Sequence, residues 1–183
     1  KEPMLLAEIG FMVQDALPTY EEFKQEYAQN GYNASSGQSV KIEAEATYSK
    51  SSSSLYPYHS RGSAITTSVN GGFTYDHTQV NVIGGDFWKK SGDWMTWELT
   101  VPETGLYTIS MRGRQNINRG LTSGRILTIN GEVPFEEAKT CTFNYSADFT
   151  IYTLGDSETG EDYQFYFEAG KTYTIGLEAT LGA

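Results

Sequence analysis

The chain has 183 residues, enough for one domain whose single core buries about 70% of the unfolded surface. Its 23 acidic residues outweigh 13 basic ones, and the resulting formal charge of -10 argues against a nucleic acid or an anionic membrane surface as partner. A composition with 19 Gly, 13 Tyr and 9 Phe favours strands joined by turns over a helical bundle, so an all-β domain is expected.

Cys141 is the sole cysteine, which removes intramolecular disulfides and thiolate zinc clusters from consideration. Its alternating surroundings, TCTFNY, fit a small buried side chain. The sequence contains no run of about 18 apolar residues, so no membrane span is expected. The start, KEPMLLAEIG, lacks the basic and apolar regions of a signal peptide, and the sequence reads as a mature or excised piece of a longer polypeptide.

In chain order, the apolar run MLLAEIGFMV at residues 4–13 is broken by Gly10 and is read as a buried strand. Next, LPTYEEFKQEYAQNG places Thr19 and Glu22 at capping-box spacing and Tyr20, Phe23 and Tyr27 on one helical face, with Asn30-Gly31 as a stop. This predicts a short amphipathic helix over about 19–29. After the polar link NASSGQS, the segment VKIEAEATY alternates, with Val40, Ile42, Ala44 and Ala46 on one face and Glu43 and Glu45 on the other. A half-buried strand is expected there, followed by a long serine-rich loop, SKSSSSLYPYHSRGS.

From residue 93 strands recur: WMTWELTV, GLYTISMR, GRILTIN, FTIYTL, DYQFYFE and TYTIGLEAT. Alternation puts Met95, Trp97, Leu99 and Val101 on the core face, and Tyr107, Ile109 and Met111 inward on the next strand. The Pro102–Gly105 turn is expected to return the chain antiparallel, and Asn130-Gly131 signals a type I′ hairpin.

IEAEA, SGDWMTWELTVPETGLYTISMRGR, INGEVPF and FEAGKTYTIGLE, in that order over roughly residues 40–180, resemble the carbohydrate-binding modules of families 6 and 35. VIGGDFW, RQN and YTLGD are similar to a subgroup carried in large extracellular or lipid-anchored bacterial proteins, some linked to sugar-uptake solute-binding proteins. The resemblance implies an antiparallel β-sandwich, a galactose-binding-like jelly roll, to which the pattern at 19–29 adds one short N-terminal α-helix. It divides the chain into 1–38, comprising strand, helix and link, and 39–183, the module itself. Such modules end in a strand of the type N-x-D-Y-I-x-V, which this sequence lacks. The opening strand offers a substitute, with Glu8 where the family's aspartate stands.

In the resembling modules, acids of the IEAEA motif bind a structural Ca2+, so Glu43, Glu45 and Glu8 are the candidate ligands. The alternative is a pair of solvated acids. Sugar binding needs a flat aromatic surface for C–H faces and planar polar groups for hydroxyls. Loops supply both types in Tyr75, Trp88, Arg114, Gln115, Asn116, Arg119, Tyr145 and Asp148. Trp88 is either a platform or a lid on the core, and Gln115 and Asn116 either meet ligand or fix their own loop. The family's second stacking tryptophan, in a G-G-W-type loop, has no match in YSADFTIYTLG.

Neither His59 nor His77 lies in a hydrolase or metalloprotease motif, and Gly71-Gly72 and Gly84-Gly85 lack phosphate-loop spacing. Taken with the resemblance, this leads to the expectation of a non-catalytic, extracellular module, monomeric in isolation, that binds a poly- or oligosaccharide weakly beside other domains of its parent polypeptide. The alternative is a structural or protein-contact domain of the same fold without a sugar site.

Overall fold

The computed structural model describes residues 16–60, 80–117 and 119–180. The strand expected at 4–13, with Glu8, and the loop positions Tyr75 and His77 lie outside the described residues. In chain order the elements are α1 (Tyr20–Gln29), β1 (Ser49–Lys50), β2 (Tyr58–Ser60), β3 (Val80–Val82), β4 (Trp94–Thr100), β5 (Gly105–Thr108), β6 (Ser110–Gly113), β7 (Ser123–Ile129), β8 (Cys141–Phe143), β9 (Thr150–Thr153), β10 (Gln164–Phe167) and β11 (Thr172–Ala179).

One layer is a five-stranded antiparallel sheet in the order β1-β4-β11-β7-β8. The opposing side is built from the pairs β5–β10 and β6–β9. These pairs are continuous at Leu154, whose N–H donates to Ile109 O at 2.9 Å and whose carbonyl accepts from Tyr163 N–H at 2.9 Å. β2 and β3 form a further short pair. The fold is the expected all-β antiparallel sandwich with one short helix.

The core lies between the layers and is aromatic in its centre. Phe135, Phe165, Phe167, Leu127 and Val101 are fully buried, and Trp97, Leu99, Tyr107, Ile109 and Met111 pack against this cluster. The alternation in β4, β5 and β6 therefore assigns the inward faces correctly. Cys141 is buried as expected, and burial pushes its thiol up to about 11.

Helix α1 has the full capping box. Thr19 N–H donates to Glu22 Oε2 at 2.8 Å, while Glu22 N–H donates to Thr19 Oγ1 at 3.3 Å. Its Tyr20 belongs to the sandwich core, with its ring 5.0 Å from Phe135 and 4.6 Å from Tyr163. The helix also shields an edge. Outward N–H groups of β10 alternate, and tyrosine hydroxyls of the helix take two of them: Gln164 N–H donates to Tyr20 Oη at 2.9 Å and Tyr166 N–H to Tyr27 Oη at 3.2 Å, while just past the strand Glu168 N–H donates to Tyr173 Oη at 2.9 Å.

Three local expectations need correction. Residues 40–48 form no strand: the chain turns at Glu43, whose carbonyl accepts from Ala46 N–H at 3.0 Å, and Val40 and Ile42 are exposed. Pairing with β4 begins only at Tyr48, so alternation without a partner produced no ladder. The serine-rich segment read as loop contains β1 and β2. The Pro102 turn does not make β5 a hairpin partner of β4, because β5 pairs with β10 in the other layer. The Asn130-Gly131 turn forms as expected, with φ 54° and 84° and with Ile129 and Glu132 exchanging backbone hydrogen bonds at 2.8 and 3.1 Å, and a short 3-10 segment, Glu136–Thr140, then leads into β8.

Candidate functional site

The topology gathers loops at one end of the sandwich. β4 starts where β11 ends, since Glu178 is paired with Trp94, and β7 begins beside Ala179. β8 ends against the start of β7, with Phe143 opposite Ser123, and β6 ends against the start of β9, with Gly113 opposite Thr150. The connections 114–122 and 144–149 therefore both cross between layers at this end. Ser146 N–H joins them by donating to Gln115 O at 2.9 Å. The turn after Trp88 arrives at the same end, where Gly92 N–H donates to Ala179 O at 2.9 Å. Trp88, Arg114, Gln115, Asn116, Arg119, Tyr145 and Asp148 are thus collected here.

Trp88 is half-buried against the core. Gly84 makes this possible: at φ +99° it tolerates a backbone that L side chains resist, and a Cβ there would stand 3.2 Å from Trp88 Cε3. The indole Nε1–H donates to Asp93 O at 2.8 Å. Arg125 lies over the ring with Cζ 4.1 Å from its centroid, and Arg125 Nη2 donates to Trp88 O at 3.1 Å. Burial lowers the Arg125 guanidinium to about 10, still fully charged at neutral pH, and its buried Nε has no hydrogen-bond partner. Trp88 therefore acts as a wall braced by arginine as much as a surface.

Arg114 sits over the Phe149 ring at 4.9 Å, beside Arg112 at 5.9 Å, and donates from Nη2 to Ser60 Oγ at 3.1 Å. Gln115 fixes its own loop. Its Oε1 accepts from Ile117 N–H at 3.2 Å and its Nε2 donates to Leu121 O at 2.9 Å. Asn116, Arg119 and Asp148 are exposed, and Tyr145 is half-buried. Behind them Tyr152 Oη donates to Asn144 O at 2.8 Å, bracing the 144–149 connection.

The acidic pair lies in the segment that leads up to the pairing with β4. Glu43 is exposed and ion-paired with Lys41, and Glu45 is half-buried in the turn whose Ala44 carbonyl accepts the Trp97 indole N–H at 2.8 Å. Among the described residues no group of three or more His, Cys, Asp or Glu side chains comes together. His59 is exposed on β2, opposite Asn81 of β3.

Sequence reasoning missed Phe149, Ser60 and Arg125. Phe149 and Arg125 stand inside predicted strands and Ser60 in a predicted loop, so only tertiary register brings them to the site. It also missed Tyr56, Tyr58 and Phe87. Phe87 lies 4.8 Å from Tyr56 and 5.8 Å from Tyr58 between ring centroids.

Neither a family model nor a curated protein sequence matches this chain. Among solved structures, it is similar to a cycloisomaltooligosaccharide glucanotransferase of Paenibacillus sp. complexed with cycloisomaltoheptaose, at 20% identity and TM-score 0.49, covering 89% of this chain and 21% of that one. It is also similar to a family 35 carbohydrate binding module from Clostridium thermocellum, at 13% identity and TM-score 0.41, covering 69% and 78%. A third similarity is to the GH26-CBM35 β-(1,4)-mannanase of Podospora anserina, at 18% identity and TM-score 0.45, covering 78% and 24%. The chain thus spans about a fifth of the glucanotransferase and a quarter of the mannanase. These likenesses are in shape, and no activity passes from them to this chain.

Proposed function

We propose that this chain is a non-catalytic, extracellular β-sandwich module that binds a poly- or oligosaccharide weakly through the loops at one end. The observation that carries the reading is the tied pair of crossing connections, 114–122 and 144–149, which present exposed Asn116, Arg119 and Asp148 beside half-buried Tyr145. Such planar polar groups suit paired sugar hydroxyls. Trp88 bounds the site, and Tyr75 is proposed to complete it. A shallow site of this kind leaves little surplus after association entropy, so dissociation constants of roughly micromolar to millimolar are expected.

A second reading, a structural or protein-contact domain of a larger extracellular protein, is favoured by one feature. Gln115, Arg114 and Trp88 all spend polar groups on their own chain. Affinity electrophoresis of Asn116→Ala and Arg119→Ala separates the two. Weakened retardation by a glycan that retards the parent supports binding, parent-like retardation of both variants moves the site elsewhere, and a parent that no glycan retards supports the structural reading.

The proposed Ca2+ bound by Glu43, Glu45 and Glu8 has its own test. An ion held only by the folded state raises Tm, so chelator lowers Tm if the site exists and leaves it unchanged if the acids are merely solvated.

A further inference from the structure

Tyr56 and Phe87 are 45% and 39% exposed, and their rings meet at 4.8 Å with a 42° tilt. Single exposed aromatics are ordinary, but two in contact form a contiguous apolar surface on a chain with a formal charge of -10. The surface is also held in place. Phe87 closes the 3-10 turn Gly85–Phe87, and Gly85, at φ +60°, lies so close to Tyr58 that a Cβ would collide with its hydroxyl. Tyr58 in turn meets Phe87 in an edge-to-face arrangement at 76°. Rings fixed before binding lose little entropy on meeting a ligand.

The rim is polar and of mixed sign. Asp86 and Lys89 flank Phe87 with side chains 74% and 75% exposed, their charged atoms 3.8 Å apart, and His59 is exposed on β2. The surface is also linked to the loop end through the chain. Phe87 precedes Trp88, and β2 runs from Tyr58 to Ser60, which holds Arg114.

We infer that Tyr56 and Phe87, backed by Tyr58, form a second contact surface that stacks the C–H face of a neutral pyranose unit, extending the loop site along a polysaccharide chain. Adjacent ring faces suit the flat, apolar side of a sugar, while Asp86 and Lys89 offer an acceptor and a donor to its hydroxyls. The inference rests on the carbohydrate reading above but on different residues. It makes no use of the arginines at the loops.

The test is affinity electrophoresis through soluble neutral glucan, mannan and xylan, with melting curves alongside. The double variant Tyr56→Ala/Phe87→Ala is expected to bind about tenfold more weakly at parent-like Tm, while Tyr56→Phe retains binding because the ring remains. Parent-like retardation of the double variant, with weakening by Asn116→Ala, overturns the second surface and leaves the loop reading standing. A parent retarded by none of the polysaccharides overturns both. Self-association of the parent that the double variant abolishes, with no change in retardation, overturns the sugar assignment in favour of contact between copies of this chain.

Discussion

Arg125 and Trp88 show how one residue's role depends on a partner far away in sequence. A desolvated cation over an indole contributes up to about 2 kcal/mol, and removing the ring also leaves space that the surroundings fill only partly. Trp88→Ala is therefore expected to cost about 2 to 3 kcal/mol in urea denaturation. A loss of glycan binding at unchanged stability would instead make it a free platform. Cys141 gives a pH prediction. Burial raises its thiol from 9.0 to about 11, so the folded state favours the neutral form. The corresponding stability is fully present below pH 9 and is lost as pH rises towards about 11. Denaturation at pH 8 and pH 11 should show a smaller alkaline loss in Cys141→Ala than in the parent, and equal losses would contradict the assignment. From the sequence, the alternation around Cys141 revealed its burial, whereas nothing near Trp88 announced Arg125.

At the scale of elements, the most instructive arrangement is the β10 edge. Backbone N–H groups on an edge strand invite another strand, and here Tyr20 and Tyr27 of α1 occupy two of them with phenol oxygens. Burial raises the Tyr27 hydroxyl to about 12, which keeps it neutral at ordinary pH. Tyr27→Phe keeps the ring but leaves the Tyr166 N–H without its acceptor, at a cost of about 1 kcal/mol, and should speed hydrogen exchange at Tyr166. Unchanged exchange would show that the hydroxyl is dispensable. The helix itself was legible, because Thr19, Glu22 and the Tyr20, Phe23, Tyr27 stripe are local signals. The failure at residues 40–48 has a physical cause: period two describes a face, but a strand also needs a neighbour, and the described chain pairs with β4 only from Tyr48. The single strand read over 105–112 splits at Ile109 because its two halves pair with different partners, β10 and β9. No residue type marks that switch.

For the whole molecule, the sandwich was readable because alternating strands and punctuating turns are repeated many times, so errors in single elements did not accumulate. The sequence suggested residues for the loop end but not their arrangement. Its construction depends on which connections cross between layers, and that follows from the β11–β7–β8 and β6–β9 pairings. Four of the five arginines in the chain, Arg112, Arg114, Arg119 and Arg125, fall in or beside these loops although the protein is acidic overall. The polar character of the end is therefore local. The most direct measurement is a glycan-array screen of the parent chain alongside Asn116→Ala/Arg119→Ala. The account predicts retention of at least one polysaccharide by the parent, at micromolar to millimolar strength, and marked weakening in the variant. Failure of the parent to retain any glycan would contradict it.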